Sequence, residues 1–225
     1  MLVRLLALFG VSFLFLNTAV YASSYSIEYT FSSPEYRTLE NGWQVVDLPD
    51  TFLDTSRPGA PTLPARFSNI LIPGNETVQE IVIDVEDSIQ LPGIYAILPT
   101  AQPTRIGVKP EPLQADPAIY QLDSPYPALN YGNLRTRRIR GAAVANTKIY
   151  PIQYNPVTGT LVFHQKMRVT VKTSESFLPA STGNQTAVFR NNLKDNQIIR
   201  SVIDNPEDFF PSSDAPASTE TATDT

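Results

Sequence analysis

Residues 147–172 read TKIYPIQYNPVTGTLVFHQKMRVTVK, and the fold class follows from them. Asn155-Pro-Val-Thr-Gly159 is turn chemistry, with an Asx side chain, a fixed proline φ and a closing glycine. After it the chain alternates with period two. Leu161, Phe163, Met167, Val169 and Val171 form an apolar inner face. Val162, His164, Lys166, Arg168, Thr170 and Lys172 form the outer one. Thr147 to Tyr154 supplies a strand on the other side of the turn, so 147–172 reads as a β-hairpin with one face in a core.

The same pattern recurs outward from this hairpin. Tyr25, Ile27, Tyr29 and Phe31 share a strand face, and Asn41-Gly42 folds residues 35–48 into a hairpin. Ala65 to Ile72 is a strand ended by Pro73-Gly74, Val78 to Glu86 alternates, and Leu134 to Ala145 reads as one further strand. Residues 57–64, Arg-Pro-Gly-Ala-Pro-Thr-Leu-Pro, are too rich in proline for regular structure and predict an ordered crossing loop. Prolines 92, 99, 103, 110, 112, 117, 125 and 127 make 92–130 a long extended segment draped on the sheets. After Pro179 the period changes, and Val188, Phe189, Leu193, Ile198, Ile199, Val202 and Ile203 predict a short helix within 187–204. The expectation is a mainly β domain, a sandwich or partly closed barrel of about 7–10 strands with one short C-terminal helix.

The ends of the chain differ from this middle. Arg4 followed by apolar Leu5 to Leu16 and by Val20-Tyr21-Ala22 reads as a signal peptide, residues 1–22, cleaved after Ala22. The apolar run is short for a membrane span, so no stable span is expected after cleavage. Export to the periplasm, cell surface or medium follows. The domain is expected over 23–208, and residues 209–225, poor in apolar anchors, read as a flexible linker or tail.

Charge and residue counts exclude several kinds of chemistry. The formal net charge is −5, and loss of Arg4 with the signal would leave −6; such a chain has no general attraction for nucleic acid. The 225 residues contain no cysteine and one histidine, so a thiol nucleophile, thiolate metal sites and multi-histidine sites are excluded. His164 is expected on the outer strand face beside Lys166 and Arg168, which disfavour its protonated form and offer it no carboxylate. Asp84, Glu86 and Asp87 are the nearest approach to an oxygen-only calcium site, but lack a surrounding ligand loop and read as a solvated face. Asn75-Glu-Thr77 and Asn184-Gln-Thr186 match the glycosylation sequon, read here as accidental. No cofactor and no catalytic residue is expected. The charge cluster Arg135, Arg137, Arg138 and Arg140 reads either as an edge strand protected by charge or as a docking surface for an acidic pocket on a partner.

Four motifs in order resemble the propeptide of gingipain-type (C25) cysteine peptidases. They are Gly59-Ala-Pro61-Thr-Leu-Pro64; Arg140-Gly141; Tyr150-Pro-Ile-Gln-Tyr154-Asn155-Pro156-Val-Thr-Gly159-Thr-Leu161 with the strand through Val171; and Phe189 through Ile203-Asp-Asn-Pro-Glu207. The resemblance spans roughly residues 25–208. It implies a non-catalytic β-sandwich that assists folding of a C25-like cysteine peptidase and inhibits it. A loop bearing a basic side chain would enter the substrate cleft. Arg135, Arg137 and Arg138 are the candidates for that docking, and Arg140 is expected to have a structural role beside Gly141. The peptidase would follow in cis if the chain continues past Thr225, or be met in trans if it does not. The alternative is a surface binding or adhesion module with no peptidase partner.

Overall fold

The computed structural model describes residues 23–109, 112–175 and 193–209. The signal-peptide reading of 1–22, residues 187–192 of the expected helix and the tail from residue 210 onward lie outside the described residues.

Among the described residues ten strands are formed in chain order: β1 Ser23–Thr30, β2 Glu35–Thr38, β3 Gln44–Asp47, β4 Phe52–Leu53, β5 Pro64–Ile72, β6 Glu76–Gln90, β7 Arg135–Ile139, β8 Ala142–Ile149, β9 Ile152–Asn155 and β10 Thr160–Glu175. Two helices accompany them, α1 Pro117–Tyr120 and α2 Leu193–Val202, with a single 3-10 turn at Pro206–Asp208. One sheet runs β1-β10-β6, with β9 also paired to β10, and the second runs β4-β5-β8-β7. Neither closes on itself, so the fold is a sandwich and not a barrel. The core lies between the sheets. Ile70, Ile72, Ala143, Ala145 and Ile149 from the second meet Tyr29, Ile81, Met167, Val169 and Val171 from the first. Each large aliphatic buried there contributes about 1.5–3 kcal/mol. A smaller core on the outer side of the second sheet joins Ala142 and Val144 to Ile199, Ile203 and Phe209. α2 meets this face through Ile199, with Ile203 just past its end, whereas Leu193, Ile198 and Val202 of the expected stripe are exposed.

The deciding hairpin is present as β9 and β10, with Leu161 opposite Tyr154 and Phe163 opposite Ile152. It begins at Ile152, not at residue 147. Thr147 to Ile149 belong to β8 in the other sheet, and the chain crosses between sheets at Tyr150-Pro151, where proline cannot donate a ladder bond. The expected single strand 134–145 is likewise two strands. Arg140 (φ 50°) and Gly141 (φ 91°) form a tight turn that pairs β7 with β8. The hairpin at 35–48 is formed by β2 and β3.

Among its described residues the proline-rich segment forms no strand and one helical turn, α1. Its first part stitches the β2–β3 hairpin to the rest of the molecule: the Gln44 amide donates to Ala96 O, and the Leu98 amide to Gln44 O. Thr62 N donates to Leu98 O and Thr100 N to Ala60 O, so Ile97 to Thr100 also runs along the crossing loop.

Candidate functional site

The arginine cluster sits on β7, the edge strand of the second sheet. Arg135 lies opposite Asn146 and Arg137 opposite Val144, so both point to the outer face, beside α2. Both are exposed. Arg138 points to the other face and is held by carbonyls, donating to Gly74 O (3.1 Å) and Gly141 O (3.4 Å). Thr136 beside it accepts from the Val78 amide at 3.0 Å, closing the seam to β6. Arg140 takes up the left-handed turn position and pairs with Asp195 at the start of α2, 3.5 Å away. The three docking candidates therefore stand on a regular paired strand. Two are free to meet a partner face, and one is committed to the fold.

A different segment has the form of an inserting loop. From Ala101 to Lys109 every residue is exposed, Ile106 completely so and Val108 by more than half. The hydrogen bonds found within it are local: Val108 N to Arg105 O at 3.1 Å and Thr104 Oγ1 to Gln102 O at 3.4 Å. Arg105 and Lys109 flank the two bare aliphatics. Sequence reading took this stretch as draped on the sheets with the rest of 92–130. The available signal was the run Gln102-Pro-Thr-Arg-Ile-Gly-Val-Lys109, where aliphatics follow no strand or helix period and so have no face to bury.

The motif residues lie at the base of this loop and in the deciding hairpin. Gly59 has φ +78°, Pro61 forms an antiparallel bridge with Pro99, and Pro64 opens β5. The Tyr154 hydroxyl donates to Tyr95 O at 2.9 Å. Asn155 Oδ1 accepts from the Val157 amide at 3.1 Å, the Asx-turn its sequence implied, Pro156 lies inside that turn, and Asn155 Nδ2 reaches Asp123. Gly159 (φ +68°) accepts from the Tyr95 amide, and a Cβ there would lie 2.5 Å from Ile94 Cγ2 and 3.1 Å from Tyr95 O. Turn and proline-rich segment are thus packed backbone on backbone.

The closing segment fastens to β5. Asp204 accepts from the Tyr29 hydroxyl (2.9 Å), the Asn69 amide (2.7 Å) and Arg66 (3.4 Å). Burial first, then the Asp204 carboxylate, raises the Tyr29 pKa well above the ordinary phenol value, so this hydroxyl stays a donor. Asn205, 2% exposed, accepts from Leu71 N (2.7 Å) and donates to Leu71 O (3.2 Å). One amide side chain therefore completes both backbone groups of a residue on the free side of β5.

The profile of the family described as Propeptide_C25 matches residues 22–208. The chain belongs to the C25 propeptide family. Two solved structures share its fold. One is the complex of Porphyromonas gingivalis RgpB pro- and mature domains, at TM-score 0.60 and 20% identity, covering 84% of this chain and 94% of that one. The other concerns zymogenic latency of gingipain K from Porphyromonas gingivalis, at TM-score 0.53 and 17% identity, covering 69% and 89%. No curated protein matches the chain significantly.

Within this C25 propeptide domain the single histidine is built into the structure, and its expected surface position is corrected. His164 is 5% exposed. Its strand face was read correctly, but that face is covered here: Nε2 meets Gln153 Oε1 at 3.0 Å, and Gln153 is itself fixed by donating to Pro127 O at 2.7 Å. Nδ1 meets the Ser88 hydroxyl at 2.8 Å. With the Gln153 oxygen as acceptor, the proton sits on Nε2 and Nδ1 accepts from Ser88. Burial lowers the imidazole pKa, so the ring is neutral. The cations once expected to disfavour its charge are engaged elsewhere. Lys166 bonds Glu28 (3.0 Å) and Glu86 (2.8 Å), and Arg168 bonds Glu86 (2.6 Å). The register of β10 against β6 also shifts between His164 and Met167. An imidazole held between a glutamine and a serine has no orienting carboxylate and no access to substrate. Glu86, one of the three acids considered for calcium, is occupied by those same cations, and the Lys166 hydrogen bond holds its carboxyl below the usual range.

Proposed function

We propose that this domain is the exported prodomain of a C25-type cysteine peptidase: it assists folding of the peptidase and keeps it inactive by placing the 101–109 loop in the substrate cleft. Family membership supports the prodomain role, and the amino-terminal pattern of Arg4 and Leu5 to Leu16 supports export. The observation that carries the docking mode is the projecting loop, with Arg105 and Lys109 on either side of a fully exposed Ile106. An extended segment offering a basic side chain meets the requirement for a substrate-like occupant of an acidic pocket, and a guanidinium can pair with a carboxylate through two parallel bonds. Arg135 and Arg137, on the paired β7 strand, suit a flat contact outside the cleft. The reading is the same whether the peptidase lies on the same chain or on another.

The test is inhibition of Arg- and Lys-specific C25 peptidases by the purified chain. Truncation of a central anchor costs on the order of 2 kcal/mol or more, about thirtyfold in the inhibition constant. Arg105→Ala and Lys109→Ala, singly and together, are expected to weaken inhibition by at least this factor in the double variant. Unchanged inhibition by the double variant, with weakening by Arg135→Ala and Arg137→Ala instead, would move the docking site to β7. No inhibition by the unsubstituted chain would remove the proposal.

A further inference from the structure

The projecting loop leaves the fold at Thr100 and returns at Asp116, and one residue holds both points. The Gly59 amide donates to Thr100 O at 2.8 Å, and the Asp116 amide donates to Gly59 O at 2.9 Å. The outgoing arm is further fixed by Thr100 N to Ala60 O and by the paired hydroxyls of Thr62 and Thr100, 2.9 Å apart. The returning arm is fixed by Asp116, which caps α1 through Ala118 N (3.0 Å) and pairs with Arg57 (3.2 Å). The segment leading into the crossing loop is in turn anchored to the end of β8 and the residue after it. Asp54 accepts from Lys148 (2.9 Å) and from the Tyr150 hydroxyl (2.7 Å). Burial alone would raise the Asp54 pKa, but the bonds from Lys148, Ser56 and Tyr150 outweigh it and hold the carboxyl below its usual range.

Glycine is required at the centre of this arrangement. At φ +78° a side chain is strained, and a Cβ would lie 3.1 Å from Asp116 Cβ, 3.2 Å from Asp116 N and 3.3 Å from Gln114 O. Two of those three neighbours are backbone and cannot swing aside.

We propose that Gly59 is the positioning residue of the docking loop: its backbone clasps the two arms and sets the projecting conformation of Arg105 and Lys109 before any partner arrives. The inference rests on the docking reading of that loop. Holding the arms together moves the cost of loop closure from binding to folding, which is the general route by which preorganisation raises affinity.

The experiment uses Gly59→Ala in the full chain, with three readouts: the inhibition constant against a C25 peptidase, hydrogen exchange at the Asp116 amide, and exchange at β10 amides. The expected result is an inhibition constant raised about tenfold and exchange at Asp116 accelerated by a similar factor, with β10 protection unchanged. Inhibition that survives while the Asp116 amide exchanges freely overturns the positioning role and leaves the docking reading standing. Absence of inhibition by the unsubstituted chain overturns both. Should Gly59→Ala fail to fold, Asp116→Ala carries the test. It keeps the backbone bond but removes the α1 cap and the Arg57 pair. About threefold weaker inhibition supports the clasp, and an Asp116 amide that exchanges freely in the unsubstituted chain overturns it.

Discussion

Replacing Asn205 by alanine strikes the closing segment where the structure gives the cost directly. The side chain is 2% exposed, accepts from Leu71 N and donates to Leu71 O and to Asp208 Oδ2. Alanine leaves the two Leu71 groups unpaired on a strand edge that no other described strand covers there. Each unsatisfied backbone group costs about 1–3 kcal/mol, so the expected loss for the two is about 2–6 kcal/mol. A single domain has about 5–15 kcal/mol to lose. With a urea m-value of about 2–3 kcal/mol/M, the midpoint should fall by about 1–3 M. Urea unfolding followed by far-UV circular dichroism measures it. Asn205→Asp sharpens the test. It keeps an acceptor for Leu71 N but sets a carboxylate against Leu71 O and Asp208, so it should also destabilise, and more above the carboxylate pKa range than below it. A loss under about 0.5 kcal/mol for the alanine variant would show that Leu71 is satisfied without Asn205 and refute the reasoning.

Three other outcomes follow from the same geometry. Gly159→Ala places a methyl group against the Tyr95 backbone at φ +68°, and should cost about 1–3 kcal/mol, read as a lowered melting temperature. Ile199→Ala empties the centre of the smaller core, where Ile199 is fully buried; a loss of about 2–5 kcal/mol is expected, with faster hydrogen exchange in α2. Because the folded pKa of His164 is depressed below that of the unfolded chain, the unfolded state binds the extra proton first. Stability is therefore full above about pH 6.5 and falls as pH drops through that value toward the folded pKa, by at most about 1.4 kcal/mol per pH unit. Comparing urea midpoints at pH 7.5 and 5.5 for the native chain and for His164→Gln checks it, and an equal drop in both would refute the assignment.

Much of the architecture was legible because local chemistry and tertiary packing agree. The Asn155–Gly159 turn and the Asn41-Gly42 turn state their own geometry, and the alternation from Leu161 onward is kept except where the register shifts between His164 and Met167. Boundaries failed where the apolar pattern runs through a change of sheet. Thr147 to Tyr154 reads as one strand, yet Pro151 hands the chain from β8 to β9. Leu134 to Ala145 reads as one strand because Arg140 is a poor sequence signal for a left-handed turn. The arginine-rich sequence from 135 to 140 does not by itself show that Arg135, Arg137 and Arg138 stand on a paired strand, because the pairing partner β8 is set by tertiary contacts.

By itself the sequence determined the class of the domain and its chemical limits: a β-rich chain with turn residues at fixed places, no thiol and one imidazole. Those are properties of composition and of periods two and 3.6, which act over a few residues. Tertiary structure decided that His164 is buried, its ring held between Gln153 and Ser88. It also decided that Leu71 is completed by a side chain 134 positions away, and that Gly59 holds both ends of a loop that begins at residue 101. These depend on which distant backbones come together, and no local pattern carries that information.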